Sequence, residues 1–260
     1  MRILVLGAGT NLTHGDTPRR AYVEAREQGD EPDVTASPFQ QYASPGTEVV
    51  NGNPEPYHGA AEVGVGGSDR YMRWWLPVPG IVRKTVWAEQ NGYDAVIQSN
   101  NFEHGVEAAR LAVQIPVVGL CRTTMLVAAN MADRVGVTVP LDGYTVLARR
   151  LIEGYGLQGF VSSMRSLGFD NVPSPDEIES LRPAMYERAV EVMRNLVKDG
   201  AECIVPLGGA VIPSILDPEV LQREVGAPVL NPRKIGVRTA EMWVNLGLTQ
   251  SPLTYSHATL

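Results

Sequence analysis

The sequence predicts an α/β protein that contains two similar, doubly wound parallel-sheet halves. Short apolar runs bounded by glycine or proline recur at residues 3–6, 95–97, 116–120, 135–139, 203–205 and 228–230. Amphipathic stretches of helical length lie between them, at residues 17–28, 106–114, 145–154, 175–198 and 235–246. Strands that alternate with helices are typical of βαβ units, in which a parallel sheet is buried on both faces.

Three pairs of segments recur in the same order along the chain. The matched pairs are residues 92–97 with 200–205, 115–119 with 227–231, and 2–6 with 134–139. In the first pair, each member has a glycine and an acidic residue before an apolar run. Such a repeat indicates two similar halves, although any chain of βαβ units also yields look-alike strands by chance.

We expect the first half to comprise residues 1–120, completed by a C-terminal helix at residues 232–260, and the second half to comprise residues 121–231. Because open α/β sheets bind ligands at the carboxyl ends of their strands, we expect the active site in a cleft between the two halves. Residues 30–75 fit the strand–helix rhythm poorly and are rich in Gly, Pro, Asn and Tyr. A loop this long is usually functional or mobile, so Trp74 and Trp75 belong either to a lid or to an anchor.

Composition argues against several classes of function. The net charge is −7 at pH 7, whereas nucleic-acid binding depends on Lys and Arg that neutralise phosphate. The only cysteines are Cys121 and Cys203, which are too few for a disulfide framework. No apolar run approaches the roughly 20 residues that span a membrane, and no hydrophobic export segment precedes the first strand. We expect a cytoplasmic protein with a small-molecule substrate, binding neither membrane nor nucleic acid.

A polar cluster, SNNFEHG at residues 99–105, follows a predicted strand. Its asparagines, Asn100 and Asn101, offer both donors and acceptors to a carboxylate or a ring amide. Glu103 or His104 could carry a proton if its side chain is directed into the cleft. Alternatively, Asn101 or Glu103 caps the next helix and His104 lies on the surface.

The equivalent turn in the second half is LGGA at residues 207–210. Its adjacent glycines, Gly208 and Gly209, permit close approach of the backbone to a ligand. They bring no acid, base or nucleophile, so this turn is expected to bind substrate rather than to react with it.

Cys121, Arg122 and Thr123 follow another predicted strand and open a helix. A thiol at a helix N-terminus has a lowered pKa, and Arg122 could clamp a carboxylate. Alternatively, the thiol is packed and the arginine faces solvent. Cys203 lies inside a predicted strand and is expected in the core.

Other motifs give little support for a cofactor. GAGTNL at residues 7–12 begins like a dinucleotide-binding turn, but Leu12 stands in place of the third glycine and no ribose-binding acid follows at about 20 residues. The four histidines, at positions 14, 58, 104 and 257, lack metal-ligand spacing. No GxSxG elbow or P-loop is present. We expect neither a cofactor nor a resident metal.

Several segments resemble the hydantoin racemase core. They are GYDAVI at residues 92–97, glycine 105 before a helix with AAR at 108–110, IPVVG at 115–119, ASPGTEV at 43–49, and PVLN at 228–231 leading into RTAE at 238–241. The likeness runs over most of the chain. By the order and spacing of these motifs, the chain is identified as a member of the aspartate/glutamate/hydantoin racemase superfamily.

The resemblance implies two pseudo-symmetric, flavodoxin-like halves. In racemases of this superfamily, one cysteine at a strand end in each half flanks the substrate, and the pair moves a proton across the α-carbon. The matching positions here are Asn100 and Gly208, each with an uncertainty of one residue in the alignment. No cysteine lies within one residue of either position. An aspartate common near the last strand is Asn231 here, and an acidic residue often found near the fourth strand is Arg122.

Racemisation by two thiols is therefore not expected, because a glycine can neither accept nor donate a proton. The leading hypothesis is a single-base isomerase or lyase that stabilises an enolate-like or oxyanion intermediate of a small carboxylate or a hydantoin-like cyclic amide. The catalytic candidates are Asn100, Glu103, His104 and Cys121, and the substrate-binding candidates are Asn11, Asn101, Arg122, Thr123, Gly208, Gly209 and Asn231. Two alternatives stay open: a ring-opening or deamidating hydrolase, with or without a metal, and a non-catalytic metabolite-binding protein. The resemblance also implies a homo-oligomer.

Overall fold

A computed structural model describes residues 1–7, 34–54, 74–169, 175–208 and 211–256. The chain forms two compact units, one of Met1–Gly119 with Val237–Leu260 and the other of Leu120–Gly236. The helix predicted at residues 17–28 lies outside the described residues. No helix in the described part of the chain is long and apolar enough to cross a membrane.

The first unit is built on a five-stranded sheet. Its strands are β1 (Arg2–Leu6), β2 (Val34–Ala36), β3 (Glu48–Gly52), β4 (Ala95–Gln98) and β5 (Val117–Gly119), in the order β2-β3-β1-β4-β5. Only β2 pairs antiparallel; the other neighbours are parallel. Helices α1 (Val78–Gln90) and α2 (Val106–Ala112) belong to this unit, and a short 3-10 helix spans Gln40–Tyr42.

The second unit is built on three parallel strands. They are β6 (Val135–Val139), β7 (Val161–Ser166) and β8 (Cys203–Pro206), in the order β7-β6-β8. Its helices are α3 (Leu120–Met131), α4 (Thr145–Gly154), α5 (Pro175–Lys198) and α6 (Pro218–Val225), with 3-10 turns at Asp142–Tyr144 and Gln158–Phe160. Helix α7 (Pro232–Asn245) follows.

The two sheets share one arrangement of strands. β1 lies between β3 and β4, and β6 lies between β7 and β8 in the same way. Val229 joins Ile204 of β8 by a single parallel bridge, at the place that β5 takes beside β4. Four apolar residues of β1 are fully buried, as expected for the central strand of a parallel sheet covered on both faces. The predicted fold class, two similar α/β halves, is confirmed.

Three local predictions are wrong. Residues 228–230 form only an isolated bridge instead of a strand, and Leu120 starts α3 instead of ending a strand. The stretch 30–75 is not one continuous loop, because β2, the 3-10 turn and β3 lie within it. The antiparallel pairing of β2 with β3 covers the edge of an otherwise parallel sheet.

The segment before β3 is tied to α7 by a buried carboxylate. Glu241 accepts hydrogen bonds from the backbone N–H of Ser44 at 2.7 Å and from its hydroxyl at 2.9 Å. Arg238 donates to the same carboxylate at 3.0 Å. Burial by itself raises the pKa of Glu241, but the hydrogen bonds from Ser44 and Thr47 and the charge of Arg238 together lower that pKa below its ordinary value.

Glu241→Gln is expected to lower the free energy of unfolding at pH 7 by about 2 kcal/mol, because hydrogen bonds to a charged group are worth about 1.5–3 kcal/mol. Since the folded-state pKa is the lower one, this contribution is present above the unfolded-state pKa and is lost as pH falls through the folded-state value. Urea unfolding at neutral and acidic pH measures it. The difference from wild type should shrink in acid, whereas Glu48→Gln, which removes an exposed ion pair with Arg2, should change little at either pH. An equal loss for Glu241→Gln at both pH values would contradict the assignment.

Candidate active site

The polar cluster at residues 99–105 begins where β4 ends. The backbone N–H of Ser99 donates to the carbonyl of Leu6, the last residue of β1, at 2.7 Å. A Cβ atom placed on Gly7 would lie 3.9 Å from the Ser99 hydroxyl oxygen. The cluster therefore lies at the carboxyl edge of the first sheet, beside the end of the central strand, where open α/β sheets bind ligands.

Two side-chain amides shape this loop. Gln98, the last residue of β4, donates from Nε2 to the carbonyl of His104 at 3.0 Å and accepts at Oε1 from the backbone N–H of Asn100 at 2.7 Å. Asn100 Oδ1 in turn accepts from the backbone N–H of Phe102 at 2.8 Å. The backbone N–H of Glu103 donates to the Asn100 carbonyl at 2.8 Å. The side-chain oxygen of Asn100 is thus used to build the loop.

Glu103 has the most unusual backbone of the described residues. It is the only non-glycine residue among them with a positive φ, at 56°. It is also only 4% exposed. A Cβ atom placed on Gly119, at the end of β5, would lie 2.4 Å from Cδ and 2.5 Å from each carboxylate oxygen of Glu103. The carboxylate therefore occupies the space that a side chain at position 119 would fill, and strained backbone of this kind clusters at functional sites.

His104 is buried beside an aromatic ring. It is 8% exposed, and its ring centroid lies 5.3 Å from that of Trp74. Burial lowers the pKa of His104 from 6.5 to about 4. Its Nδ1 atom has no hydrogen-bond partner in the described part of the chain. At neutral pH the imidazole is therefore uncharged.

The helix after the loop has a glycine as its N-cap. α2 begins at Val106, and its N-cap is Gly105 with φ 71°, which makes no side-chain capping hydrogen bond. The alternative interpretation, in which Asn101 or Glu103 caps this helix and His104 lies on the surface, is wrong. Asn101, like Glu103 and His104, is buried in the loop.

The two tryptophans behave differently. Trp74 is half-buried, and its ring packs edge-on against Phe102 at 6.0 Å as well as against His104. Trp75 is largely exposed. Trp74 therefore anchors its segment to the loop that carries the polar cluster.

In the second unit, Gly208 occupies the position equivalent to Asn100. The Leu207 N–H donates to the Thr138 carbonyl of β6 at 2.8 Å, as the Ser99 N–H donates to the central strand of the first sheet, and Gly208 is the next residue. Its φ is 97°, and a Cβ atom there would lie 2.4 Å from Pro140 Cγ. The site therefore has room for a hydrogen atom only.

Asn231 and Arg122, two further predicted binding residues of the second unit, have local partners. Asn231 Oδ1 accepts from the backbone N–H groups of Arg233 and Lys234 at 3.1 Å each, so its carbonyl caps α7. Arg122 is half-buried, with its guanidinium 5.1 Å from the Tyr155 ring centroid.

Both cysteines are buried, and their surroundings differ. Cys121 is fully buried in the first turn of α3, followed by a half-buried Thr123. Cys203 is fully buried in β8, as expected for a core residue, and burial raises the pKa of its thiol to about 11. Asn11 and Gly209 lie outside the described residues. No group of three His, Cys, Asp or Glu side chains within the described ranges could hold a metal ion.

Sequence reasoning missed two residues of the site. Gln98 was assigned to no role, although a polar residue at the end of a buried strand is itself a signal. Gly119 gives no signal of its own in the sequence, because its importance comes from the Glu103 carboxylate, which occupies the space beside it in the folded chain.

Comparison with known proteins identifies the family. The sequence model of Asp/Glu/Hydantoin racemase matches residues 73–240. The chain belongs to that family. A hydantoin racemase of Pseudomonas sp. (strain NS671) is 30% identical over 217 residues, covering 81% of this chain and 80% of the relative. A hydantoin racemase of Rhizobium meliloti is 28% identical over 212 residues, covering 81% and 83%.

Solved structures of the family have the same fold. Allantoin racemase from Pseudomonas fluorescens superposes with a TM-score of 0.76 at 26% identity, covering 100% of this chain and 98% of that chain. Allantoin racemase from Klebsiella pneumoniae gives 0.73 at 21% identity, covering 100% and 94%. The superfamily membership inferred from the sequence is confirmed.

Family membership makes the two matched positions, Asn100 and Gly208, the informative ones. The resemblance assigns catalytic cysteines to both, and the strand-end hydrogen bonds of Ser99 and Leu207 relate them as equivalents in the two sheets. In this racemase-family chain, one position carries an amide and the other has no space for a side chain. The titratable side chains next to Asn100 in the first unit are those of Glu103 and His104.

Proposed function

We propose that this chain is an isomerase-type enzyme that moves a proton at a carbon next to a carbonyl group, using one base in place of two thiols. Its substrate is a small cyclic amide of the hydantoin type or a small carboxylate. The observation that carries the proposal is the Glu103 carboxylate, buried at the carboxyl edge of the first sheet on strained backbone and accommodated by Gly119. The relatives named hydantoin racemase support this substrate class.

Glu103 is the proton carrier in this proposal. Its carboxylate takes the proton from the substrate carbon, and the C–H electron pair moves into the adjacent carbonyl to give an enolate. The resulting carboxylic acid returns the proton to the same carbon or to a neighbouring atom of the enolate, which restores the carboxylate. Burial lowers the pKa of His104 to about 4, so its imidazole is uncharged at neutral pH, and no proton transfer is assigned to it.

The enolate oxygen needs hydrogen-bond donors. Asn100 uses its carbonyl oxygen within the loop, which leaves its NH₂ group to donate to the developing oxyanion. Gly208 has no side chain that could donate or accept a proton, and the space at that position admits none. A single base therefore accounts for all the proton transfers.

A deuterium-exchange screen tests the proposal. The protein is incubated in D₂O at pH 7 with enantiopure 5-methylhydantoin, allantoin, L-aspartate and L-glutamate, and NMR and chiral chromatography follow each probe against an enzyme-free control. We expect enzyme-dependent deuterium at the carbon next to the carbonyl, entering faster than configuration is lost, because one base serves one face. Ring opening or ammonia release without deuterium uptake would contradict the proposal. Exchange and racemisation at the same rate would contradict the single-base mechanism, and silence on all probes would exclude these substrate classes.

A further inference from the structure

We infer that Gln98 is the positioning residue that holds the loop from Asn100 to His104, and with it the Glu103 carboxylate, in its reactive conformation. This inference rests on the proposed function of that loop. Gln98 ends a strand whose other residues, Ala95 to Ile97, are apolar, and it is 1% exposed. A buried amide is costly unless it is hydrogen-bonded, and both ends of this amide are.

The two hydrogen bonds of Gln98 join the beginning of the loop to its end. Oε1 accepts from the backbone N–H of Asn100, and Nε2 donates to the carbonyl of His104. The intervening chain is thereby closed around one side chain. Glu103 lies inside that closed segment with its φ of 56°. Strained backbone persists only when its surroundings fix it, and the Gln98 amide fixes both flanks of Glu103.

The fold itself does not require an amide at this position. In the second unit the equivalent residue is Pro206, since Leu6 pairs with Gln98 in the first sheet as Thr138 pairs with Pro206 in the second. Proline has no side-chain donor or acceptor. The turn after β8 is therefore formed without a bridging amide from Pro206. That turn has no acidic or basic side chain at Gly208. The amide occurs in the half that has the carboxylate.

Gln250 offers a matched control. It is also buried, at 5% exposure. Its Nε2 donates to the carbonyls of Val113 and Ile115 at 2.7 and 3.0 Å, and its Oε1 accepts from the Val117 N–H at 3.3 Å. It thus bridges backbone groups in the same unit, at the amino end of β5 instead of the carboxyl edge. Gln250→Met removes a comparable buried amide without touching the loop.

The test compares Gln98→Met with Gln250→Met in the full-length protein by two readouts. We expect Gln98→Met to lower the rate of deuterium exchange into 5-methylhydantoin by about 10–100-fold, because misplacement of a reacting group by about 1 Å can cost that much. Gln250→Met should stay within about twofold of wild type, because the hydrogen bonds that it removes are to Val113, Ile115 and Val117 and not to the loop from Asn100 to His104. The second readout is the NMR titration of His104, assigned with a His104→Gln variant. In Gln98→Met its pKa should rise from about 4 toward 6.5 as the opened loop admits water.

The titration separates this inference from the proposed function. An unchanged His104 titration in folded Gln98→Met would overturn the positioning role, whatever the exchange rate. A raised pKa of His104 with an undiminished rate of deuterium exchange would support the positioning of the loop by Gln98. The same result would overturn the catalytic role of Glu103. If Gln98→Met does not fold, Gln98→Asn serves instead, because its amide is one methylene shorter and cannot reach both backbone groups. For Gln98→Asn, the pKa of His104 and the rate of deuterium exchange are interpreted in the same way.

Discussion

Glu103→Gln is expected to lower the rate of deuterium exchange into the active probe by about 10²–10⁴-fold, the usual contribution of a positioned acid–base group. Glutamine keeps the size and the backbone conformation of Glu103 but cannot take a proton from carbon. The exchange rate of Glu103→Asp should lie between those of wild type and Glu103→Gln, because aspartate keeps the carboxylate but withdraws it by the length of one methylene group. Exchange rates measured by NMR, with urea unfolding to verify stability, give the result.

Gly119→Ala tests the same carboxylate without changing it. The added methyl group would lie 2.4–2.5 Å from the Glu103 carboxylate atoms, so the carboxylate has to move, and exchange should fall with it. The control is Gly154→Ala, where an added Cβ meets nothing within 4 Å. Wild-type exchange in both Glu103→Gln and Gly119→Ala would show that Glu103 does not carry the proton.

The main elements of the fold could be predicted because burial leaves a clear pattern. β6 and the helices α4 and α5 have the predicted bounds, and β1, β4 and β8 differ by a residue at one end. β7 escaped prediction because it is an edge strand, VSSMRS, with no fully buried residue, and the usual strand signal is apolar alternation. β2 has only three residues, of which two are exposed.

The candidate site was predictable as a location and not as a geometry. Polar residues directly after a buried parallel strand indicate a ligand-binding edge, which singled out the segment from Asn100 to His104. The φ of Glu103 and the space at Gly119 depend on neighbouring strands, which no local pattern reports. Asn231 is a different case: asparagine directly before proline is a helix N-cap signature, and its carbonyl caps α7 accordingly.

Gly208→Cys is expected to destabilise the protein by about 3 kcal/mol, from backbone strain of about 1–3 kcal/mol and overpacking of about 1–3 kcal/mol. The φ of 97° disfavours any side chain, and the new Cβ would lie 2.4 Å from Pro140 Cγ. Gly226→Cys is at φ 76° with nothing within 4 Å of its Cβ. It should therefore be destabilised by backbone strain alone, about 1–2 kcal/mol. Urea unfolding of both variants measures the difference.

The clash with Pro140 can be isolated from the backbone strain. Pro140→Ala removes the ring atom that the new side chain would meet, so Gly208→Cys should cost less in that background than in wild type, and the difference is the coupling energy of the two sites. Additive effects would show that Pro140 does not exclude a side chain at position 208.

Restoring both thiols is consequently not expected to restore a two-base racemase. The double variant Asn100→Cys with Gly208→Cys places sulfur at both matched positions, but the second can be accommodated only by moving the strand end or Pro140. Because proton transfer depends on close placement of the reacting atoms, a displaced thiol is not expected to transfer a proton. Chiral chromatography of 5-methylhydantoin decides the matter. A double variant with wild-type stability that racemises the probe as fast as it exchanges deuterium would contradict this expectation. It would mean that the backbone at Gly208 does accept a catalytic side chain, and that the absence of the two thiols is all that separates this chain from a two-thiol enzyme.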